Sequence, residues 1–381
     1  MRIVQRWSVL LVCLSFAAGT ARLSAAEPSV SSVLQPFVES GSLAGAVTVV
    51  ANKDKVLSLE TVGYMDVGAK QAMKADSLFW IASMSKPITG TALMLLVDEG
   101  KVKLDDPIEK YLPEFKELKV AGANGAELKK PARLVTVRDV MSHTSGMPFK
   151  SAKEQPTLDG LPLKDAVLSY AATPLQTEPG TKYQYSNAGI NTGARIIEVV
   201  SGMSYEDFMD QRLFKPLGMK DTTFWPNEEQ VSRLAKPYKP SADKTKLEET
   251  TISQLTYPLS NHHNRYPMPA GGLFSTGADV ATFCRMLLNG GELNGKRYLS
   301  AEALKTMTSK QTGDAVKDGY GIGWSTNGMT FGHGGALATN MTIDPQRGLI
   351  TVFLVQHAGF SGDGNKSHGA FVKAANDTFG K

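Results

Sequence analysis

The segments of this 381-residue chain with strand-forming patterns lie near its two ends, and helix-forming segments lie between them. Near the start, runs of apolar and β-branched residues predict two strands, at 44–51 and 56–62, around a polar turn. Further strands are predicted late in the chain, at 321–325, 330–332, 338–344 and 349–356. No strand pattern of comparable strength occurs between residue 101 and about residue 255. We therefore expect the two ends to share one sheet and the middle to be an insertion.

Helical periodicity occurs in most of the remaining sequence. It predicts helices at 30–38, 83–99, 136–141, 189–200, 205–213 and 367–379. We expect an α/β domain made of residues 27–100 and 256–381, and a mainly helical inserted domain made of residues 101–255. A hydrophobic content of 42% is enough to fill cores of this size.

The first 26 residues have the three-part pattern of a secretory signal peptide. Arg2 and Arg6 precede an apolar stretch at 8–18 that is too short to cross a bilayer, and small residues follow at 24–26. We expect this segment to be removed and the mature protein to be exported, to a periplasm or out of the cell. No later segment has an apolar run of membrane-spanning length. Since Cys13 leaves with the signal, Cys284 remains alone, in an apolar helical run, and is predicted to be a buried structural thiol.

The most distinctive local pattern is a serine followed three residues later by a lysine, Ser83 and Lys86. On a helix this spacing places both side chains on one face, within reach of each other. A serine hydroxyl becomes a good nucleophile when a neighbouring group takes its proton, and a desolvated lysine can be neutral enough to do so. Backbone N–H groups at the start of a helix also suit a developing oxyanion. Alone, the pattern is common and therefore weak.

Two further segments strengthen the prediction of a catalytic site. Tyr185 and Asn187 follow a Pro-Gly pair in a stretch that is predicted to be a loop, where a phenol can relay protons and an amide can orient a lysine or a substrate carbonyl. His333, Gly334, Gly335 and Ala336 lie between two predicted strands. Glycines there would let a substrate backbone approach a strand edge closely. Each segment alone fits an ordinary structural role.

Taken together and in this order, the three segments resemble the serine β-lactamase and penicillin-binding-protein superfamily, particularly its class C-like and esterase-like branches. The likeness extends through the segments at 104–107, 111–115, 135–146 and 269–275. The resemblance implies an α+β fold of the β-lactamase/transpeptidase type, with an antiparallel sheet flanked by helices and a largely helical second domain. It also implies roles for the site residues: Ser83 as nucleophile, Lys86 and Tyr185 in proton transfer, Asn187 as polar support, and the backbone N–H groups of Ser83 and Ala336 as an oxyanion hole.

The third segment departs from the Lys-Thr-Gly of many β-lactamases, because it reads His333-Gly334-Gly335. Histidine is only partly charged at neutral pH, and glycine has no hydroxyl with which to hold a substrate carboxylate. We therefore expect a small-molecule ester or other acyl substrate first, a D-amino-acid peptide second, and a β-lactam third. A non-enzymatic alternative is a penicillin-binding sensor module that has lost activity, although Ser83, Lys86 and Tyr185 are all present.

Other classes of function fit the sequence poorly. The net charge of +4 comes from scattered basic residues, which does not suggest a nucleic-acid groove. An α/β-hydrolase would need a Gly-x-Ser-x-Gly turn, which the chain lacks. The pair His262-His263 has no metal-ligand spacing, so no metal site is predicted. No cofactor is implied, because Lys86 and Tyr185 supply the proton transfers. His143 and Ser145 are interpreted as scaffold, because the corresponding segment of the family is a structural turn.

Overall fold

The computed structural model describes residues 29–122, 127–314 and 316–380. The predicted signal peptide, with Cys13 in it, lies outside these residues. In the described ranges no helix combines the length and the apolar character that a membrane span needs.

The strands are numbered in chain order. They are β1 Gly45–Ala51, β2 Val56–Asp66, β3 Gln71–Ala72, β4 Phe79–Trp80, β5 Val120–Ala121, β6 Leu128–Lys129, β7 Tyr238–Pro240, β8 Leu247–Glu249, β9 Phe274–Ser275, β10 Glu292–Leu293, β11 Lys296–Arg297, β12 Ser325–Thr326, β13 Phe331–Gly334, β14 Asn340–Asp344 and β15 Leu349–Leu354. Seven of them form the main sheet, in the order β12-β13-β14-β15-β1-β2-β3, with antiparallel neighbours.

The centre of this sheet is the pairing of β1, near the start of the chain, with β15, near its end, where Val49 lies opposite Val352. Alternate residues of both strands enter different cores. Val47, Val49 and Val352 pack with one large core, whereas Val50 and Phe353 pack with a second. Both faces of the central strands are therefore buried, which explains why these segments are apolar throughout rather than alternating.

The α-helices are also numbered in chain order. They are α1 Gln35–Glu39, α2 Ser85–Asp98, α3 Val137–Met141, α4 Leu163–Ala171, α5 Asn187–Ser201, α6 Tyr205–Met209, α7 Lys215–Leu217, α8 Glu228–Ser232, α9 Gly277–Leu288, α10 Ala301–Thr308 and α11 Ser367–Phe379. A π-helical turn, Asp210–Phe214, joins α6 to α7. On one face of the sheet α9 packs against β1 and β15, and α11 packs on the other. The predicted α+β class, an antiparallel sheet with flanking helices, is confirmed.

The predicted strand at 321–325 is wrong, since only Ser325–Thr326 is strand. Two glycines in this segment lie against other backbone. A Cβ on Gly321 would be 2.1 Å from the Met307 carbonyl oxygen, and one on Gly323 would be 2.5 Å from that of Lys86. The segment is therefore irregular and packs against α10 and α2 instead of forming a strand of the sheet. Short strand pairs also occur within 101–255, where no strand had been predicted.

Candidate active site

Ser83 lies in a single 3₁₀ turn, Ala82–Met84, that leads directly into α2. The residue before it, Ala82, has a φ of +47°, a region that costs a non-glycine residue of order 1–3 kcal/mol. This conformation is held in part by the buried Ser85 hydroxyl, which donates to the Ala82 carbonyl at 2.7 Å. Ser83 itself is half-buried while its neighbours Ala82 and Met84 are fully buried. The turn thus presents the hydroxyl of Ser83 to the site and packs its flanks away from water.

Lys86, one helical turn after Ser83, is completely buried. Its Nζ lies 3.1 Å from Ser83 Oγ and donates to the Ala270 carbonyl at 2.7 Å, so both partners are uncharged. Burial lowers the pKa of the Lys86 amine well below its usual value. Nζ also lies 4.6 Å from the centre of the Tyr185 ring, a contact that favours the charged form. Full burial can cost a lysine cation about 4–7 kcal/mol against about 2 kcal/mol from a desolvated cation–π contact, so burial outweighs the contact and the pKa of the amine stays lowered.

The carbonyl that accepts from Lys86 belongs to a segment fixed by a buried hydrogen-bond network. The Ala270 N–H donates to Asn191 Oδ1 at 3.0 Å, and the Asn191 amide donates to the Tyr170 hydroxyl at 3.0 Å. The Tyr170 hydroxyl in turn donates to Glu154 at 2.8 Å. Sequence reasoning missed Ala270 as a site residue, because a backbone carbonyl leaves no signature in the side-chain pattern.

Tyr185 lies in the loop before α5, with its ring beside Lys86. Burial raises the pKa of its phenol above the usual value, and the neighbouring Ser83 hydroxyl opposes that shift. The phenol therefore stays protonated. The prediction that Asn187 is in the same loop is wrong, because Asn187 is the first residue of α5. Ser186 caps this helix by accepting from the Gly189 N–H at 3.0 Å, and a serine at that position is a common helix start.

Asn187 is buried, with 4% of the residue exposed, and its Oδ1 has no hydrogen-bond partner in the described part of the chain. Its backbone N–H donates to the Phe149 carbonyl at 3.0 Å, which ties the start of α5 to a neighbouring loop. A buried amide oxygen without a donor is costly unless a ligand supplies one. Asn187 Oδ1 is therefore an unused acceptor at the start of α5, two residues after Tyr185.

His333 is buried on β13, and its two ring nitrogens have different partners. Nδ1 lies 2.7 Å from the Gly334 carbonyl, which can only accept, so Nδ1 carries the proton. Nε2 lies 3.0 Å from the Tyr320 hydroxyl and therefore accepts from it. Burial and the proximity of Lys86 lower the pKa of His333 to about 3. The imidazole is neutral at physiological pH and does not replace the cation of a Lys-Thr-Gly motif.

The residues after His333 bring the end of β13 against the Ser83 turn. A Cβ on Gly335 would lie 2.5 Å from the Ile81 carbonyl oxygen and 2.1 Å from Thr339 Oγ1, so only glycine fits. Gly334 and Ala336 are exposed. The structure therefore brings Ser83, Lys86, Tyr185 and the predicted His333 segment to one place, although they come from three separate parts of the chain.

Three histidines to which the sequence gives no catalytic role, His143, His262 and His263, have different surroundings. His262 and His263 are exposed, and His262 stacks on Trp225 with ring centres 4.7 Å apart. Over the residues described, no group of three or more His, Cys, Asp or Glu side chains is arranged to hold a metal ion. His143, in contrast, is completely buried, and its ring centre lies 4.6 Å from that of Tyr185. Cys284 is buried and free, as predicted.

Comparison with known proteins finds related sequences and similar folds. The family model described as "Beta-lactamase" matches residues 30–373. Protein Rv1367c of Mycobacterium tuberculosis is 32% identical over 361 residues, covering 85% of this chain and 88% of that protein. Penicillin-binding protein 4 of Amycolatopsis lactamdurans is 30% identical, covering 77% of this chain and 75% of its own length. Among solved structures, "EstCE1, a hydrolase with promiscuous acyltransferase activity" superposes with a TM-score of 0.76 at 23% identity, covering 91% of this chain and 97% of that one.

Proposed function

The chain belongs to the beta-lactamase family of serine hydrolases, and we propose that it hydrolyses carboxylic esters through an acyl-enzyme on Ser83. The observation that carries this proposal is the fully buried Lys86 amine, 3.1 Å from the Ser83 hydroxyl and surrounded by uncharged partners. A neutral amine at this distance can take the serine proton. The strained turn at Ala82 supports the proposal, because backbone strain of this kind is often retained at functional sites.

The proposed reaction has two halves. In the first, Lys86 takes the proton of Ser83 while the serine oxygen bonds to the substrate carbonyl carbon. The resulting oxyanion accepts hydrogen bonds from the backbone N–H groups of Ser83 and Ala336. When the intermediate collapses, the ester C–O bond breaks, Tyr185 gives its proton to the leaving alkoxide, and Lys86 returns a proton to Tyr185. In the second half, Lys86 takes a proton from a water molecule while the water oxygen bonds to the acyl carbon. The bond between that carbon and Ser83 Oγ then breaks, Lys86 returns the proton to Ser83, and the carboxylic acid leaves.

An ester substrate is favoured by the uncharged character of the site. His333 is neutral, so it offers no cation to the carboxylate that penicillins carry. Phe149 is 44% exposed and stacks against Tyr185 with ring centres 6.4 Å apart. An exposed aromatic beside the catalytic phenol suits an apolar acyl or alcohol group.

A D-amino-acid peptide is the second candidate, and Asn187 is the observation that favours it. Its unpartnered Oδ1 can accept from an amide N–H, which a peptide has and a simple ester lacks. A β-lactam is the third candidate, since both the cation and the hydroxyl of the usual third motif are replaced, by His333 and Gly334.

The proposal is tested by comparing turnover of p-nitrophenyl butyrate, a D-Ala-D-Ala peptide and nitrocefin by one preparation. We expect the ester to have the highest kcat/KM and Ser83→Ala to abolish its turnover. Dominant peptide or nitrocefin turnover would reverse the substrate order. If no substrate is turned over by the native protein, the inactive sensor module becomes the better interpretation.

We also propose that the protein is exported, on the strength of the signal-peptide pattern in residues 1–26. In a bacterial host with two membranes, the mature protein should be recovered from the periplasm or the medium with Glu27 at its N-terminus. N-terminal sequencing tests this, and recovery of an uncleaved chain in the cytoplasm would contradict it.

A further inference from the structure

One residue outside the predicted site, His143, is bonded to the backbone on both sides of Tyr185. The Gln184 N–H donates to the His143 carbonyl at 2.7 Å, and the Ser186 N–H donates to His143 Nδ1 at 3.1 Å. The residues that flank Tyr185 are therefore both held by one histidine. Because Nδ1 accepts, the neutral ring carries its proton on Nε2.

The ring of His143 also lies between two tyrosines of the site. Its centre is 4.6 Å from that of Tyr185 and 4.5 Å from that of Tyr320. Tyr320 is the residue whose hydroxyl donates to His333. His143 thus links the Tyr185 loop to the β13 side of the site while remaining completely buried.

The backbone around His143 is fixed independently of Tyr185. His143 has a φ of +63°, and the next residue, Thr144, is bonded to Asp139 through both its N–H, at 2.9 Å, and its hydroxyl, at 3.1 Å. Asp139 lies in α3, where Arg133 contacts both of its carboxylate oxygens at 2.6 and 2.8 Å. The imidazole therefore projects from a rigid support, whereas the Tyr185 segment is a loop that needs one.

We propose that His143 is a positioning residue for Tyr185. By accepting a hydrogen bond at Nδ1, His143 fixes the loop that contains Tyr185, so that the phenol faces Ser83 and Lys86. This inference rests on the proposed acyl-enzyme function. It differs from a packing role, in which the ring would matter and the acceptor would not. It keeps the expectation that His143 belongs to the scaffold and adds a function for its Nδ1 acceptor.

Two substitutions separate the acceptor from the ring. His143→Asn keeps an acceptor near the position of Nδ1 and tolerates a positive φ, but loses the ring. His143→Phe keeps the ring and loses the acceptor. We expect H143N to keep the acylation rate constant within about threefold and H143F to lower it about 30- to 100-fold, since small displacements of a catalytic group cost up to about 10²-fold. The opposite order would overturn the proposal in favour of packing.

A double-mutant cycle with Tyr185→Phe tests whether His143 acts through Tyr185. In the Y185F background, H143F should cause no further loss beyond about twofold, because the group that it positions has already been removed. Losses that multiply would overturn the proposal. Should H143F fail to give a folded protein by circular dichroism, H143A replaces it in both the comparison with H143N and the cycle.

The same assays distinguish this inference from the proposed function. Turnover that survives in Ser83→Ala would refute the proposed function itself. If Ser83→Ala is inactive while the rate losses caused by H143F and Y185F multiply in the double variant, the proposed acyl-enzyme is retained and only the role of His143 is refuted.

Discussion

The proposed chemistry depends on Lys86 as the base. Because this side chain is completely buried, a substitution must distinguish a catalytic role from a structural one. Replacing it by Met removes the base and leaves an apolar side chain of similar length in a buried site. We expect Lys86→Met to lower the acylation rate constant about 10²- to 10⁴-fold, the usual contribution of general acid–base catalysis. The protein should remain folded. The free energy gained by no longer burying an amine offsets the cost of leaving the Ala270 carbonyl without its hydrogen-bond donor. Kinetics and thermal unfolding on one preparation check both parts, and activity within tenfold of the native protein would contradict the assignment.

The pKa values of the site predict which group controls the pH dependence. Because the pKa of Lys86 is well below its usual value of 10.5, acylation should rise with pH as the amine loses its proton and then reach a plateau. His333, with a pKa of about 3, is neutral throughout the range from pH 5 to 9 and should add no inflection there. A kcat/KM profile of the native protein and of His333→Gln tests this. The rising limb should stay at the same pH in the variant, and its disappearance would assign it to His333 instead.

At the scale of elements, the end of β13 must approach the Ser83 turn closely, and Gly335 permits that approach. In Gly335→Ala the new methyl group would meet the Ile81 carbonyl and Thr339, so the strand end must move away from Ser83. We expect a loss of kcat of about 10²-fold from a displacement of this kind. Gly369→Ala is the matched control, because this exposed glycine of α11 has open space where its Cβ would lie. Equal activity of the two variants would show that the close approach is not needed.

Elements whose own sequence determines them were predicted well, and those fixed by tertiary packing were not. The tail helix, Ser367–Phe379, and the strands at β1 and β15 have strong periodicity or continuous apolar runs, and the predicted ranges agree with the structure. The helices α4 and α10 were not predicted, although the structure forms both. A strand was wrongly predicted at 321–325, because the close packing of its glycines against backbone distant in sequence leaves no local pattern.

The site residues could be predicted from short sequence motifs, whereas the groups that hold them in place could not. Ser83 and Lys86 could be paired from helical spacing alone. The Ala270 carbonyl and the imidazole of His143 were missed or set aside, because their contacts with Lys86 and the Tyr185 loop join segments far apart in sequence. Nor could the sequence give the tautomer of His333, which depends on its two hydrogen-bond partners.

At the scale of the whole molecule, several histidines are buried in uncharged form. Burial lowers the pKa values of His143, His333, His357 and His368, to about 3 for His333 and about 4 for His357. In the unfolded chain these residues bind protons below about pH 6.5, so the unfolded state is favoured as the pH falls. Each contributes up to about 1.4 kcal/mol per pH unit, and we expect the free energy of unfolding to drop by about 3 kcal/mol or more from pH 7.5 to 5.5.

Urea unfolding at the two pH values measures this drop. His357→Gln is the informative variant, because a glutamine oxygen can still accept from the Ala44 N–H, as His357 Nε2 does at 3.1 Å, but does not titrate. Its free energy of unfolding should depend less on pH than that of the native protein. A native protein equally stable at both pH values would contradict the burial of these rings as neutral groups.

The central claim is a covalent acyl intermediate on Ser83, and mass spectrometry of the intact protein after reaction with a fluorophosphonate tests it most directly. We predict one adduct, located by peptide mapping at Ser83, which is absent from Ser83→Ala and retained in Ser145→Ala. An adduct that persists in Ser83→Ala, or that maps to another residue, would contradict the claim.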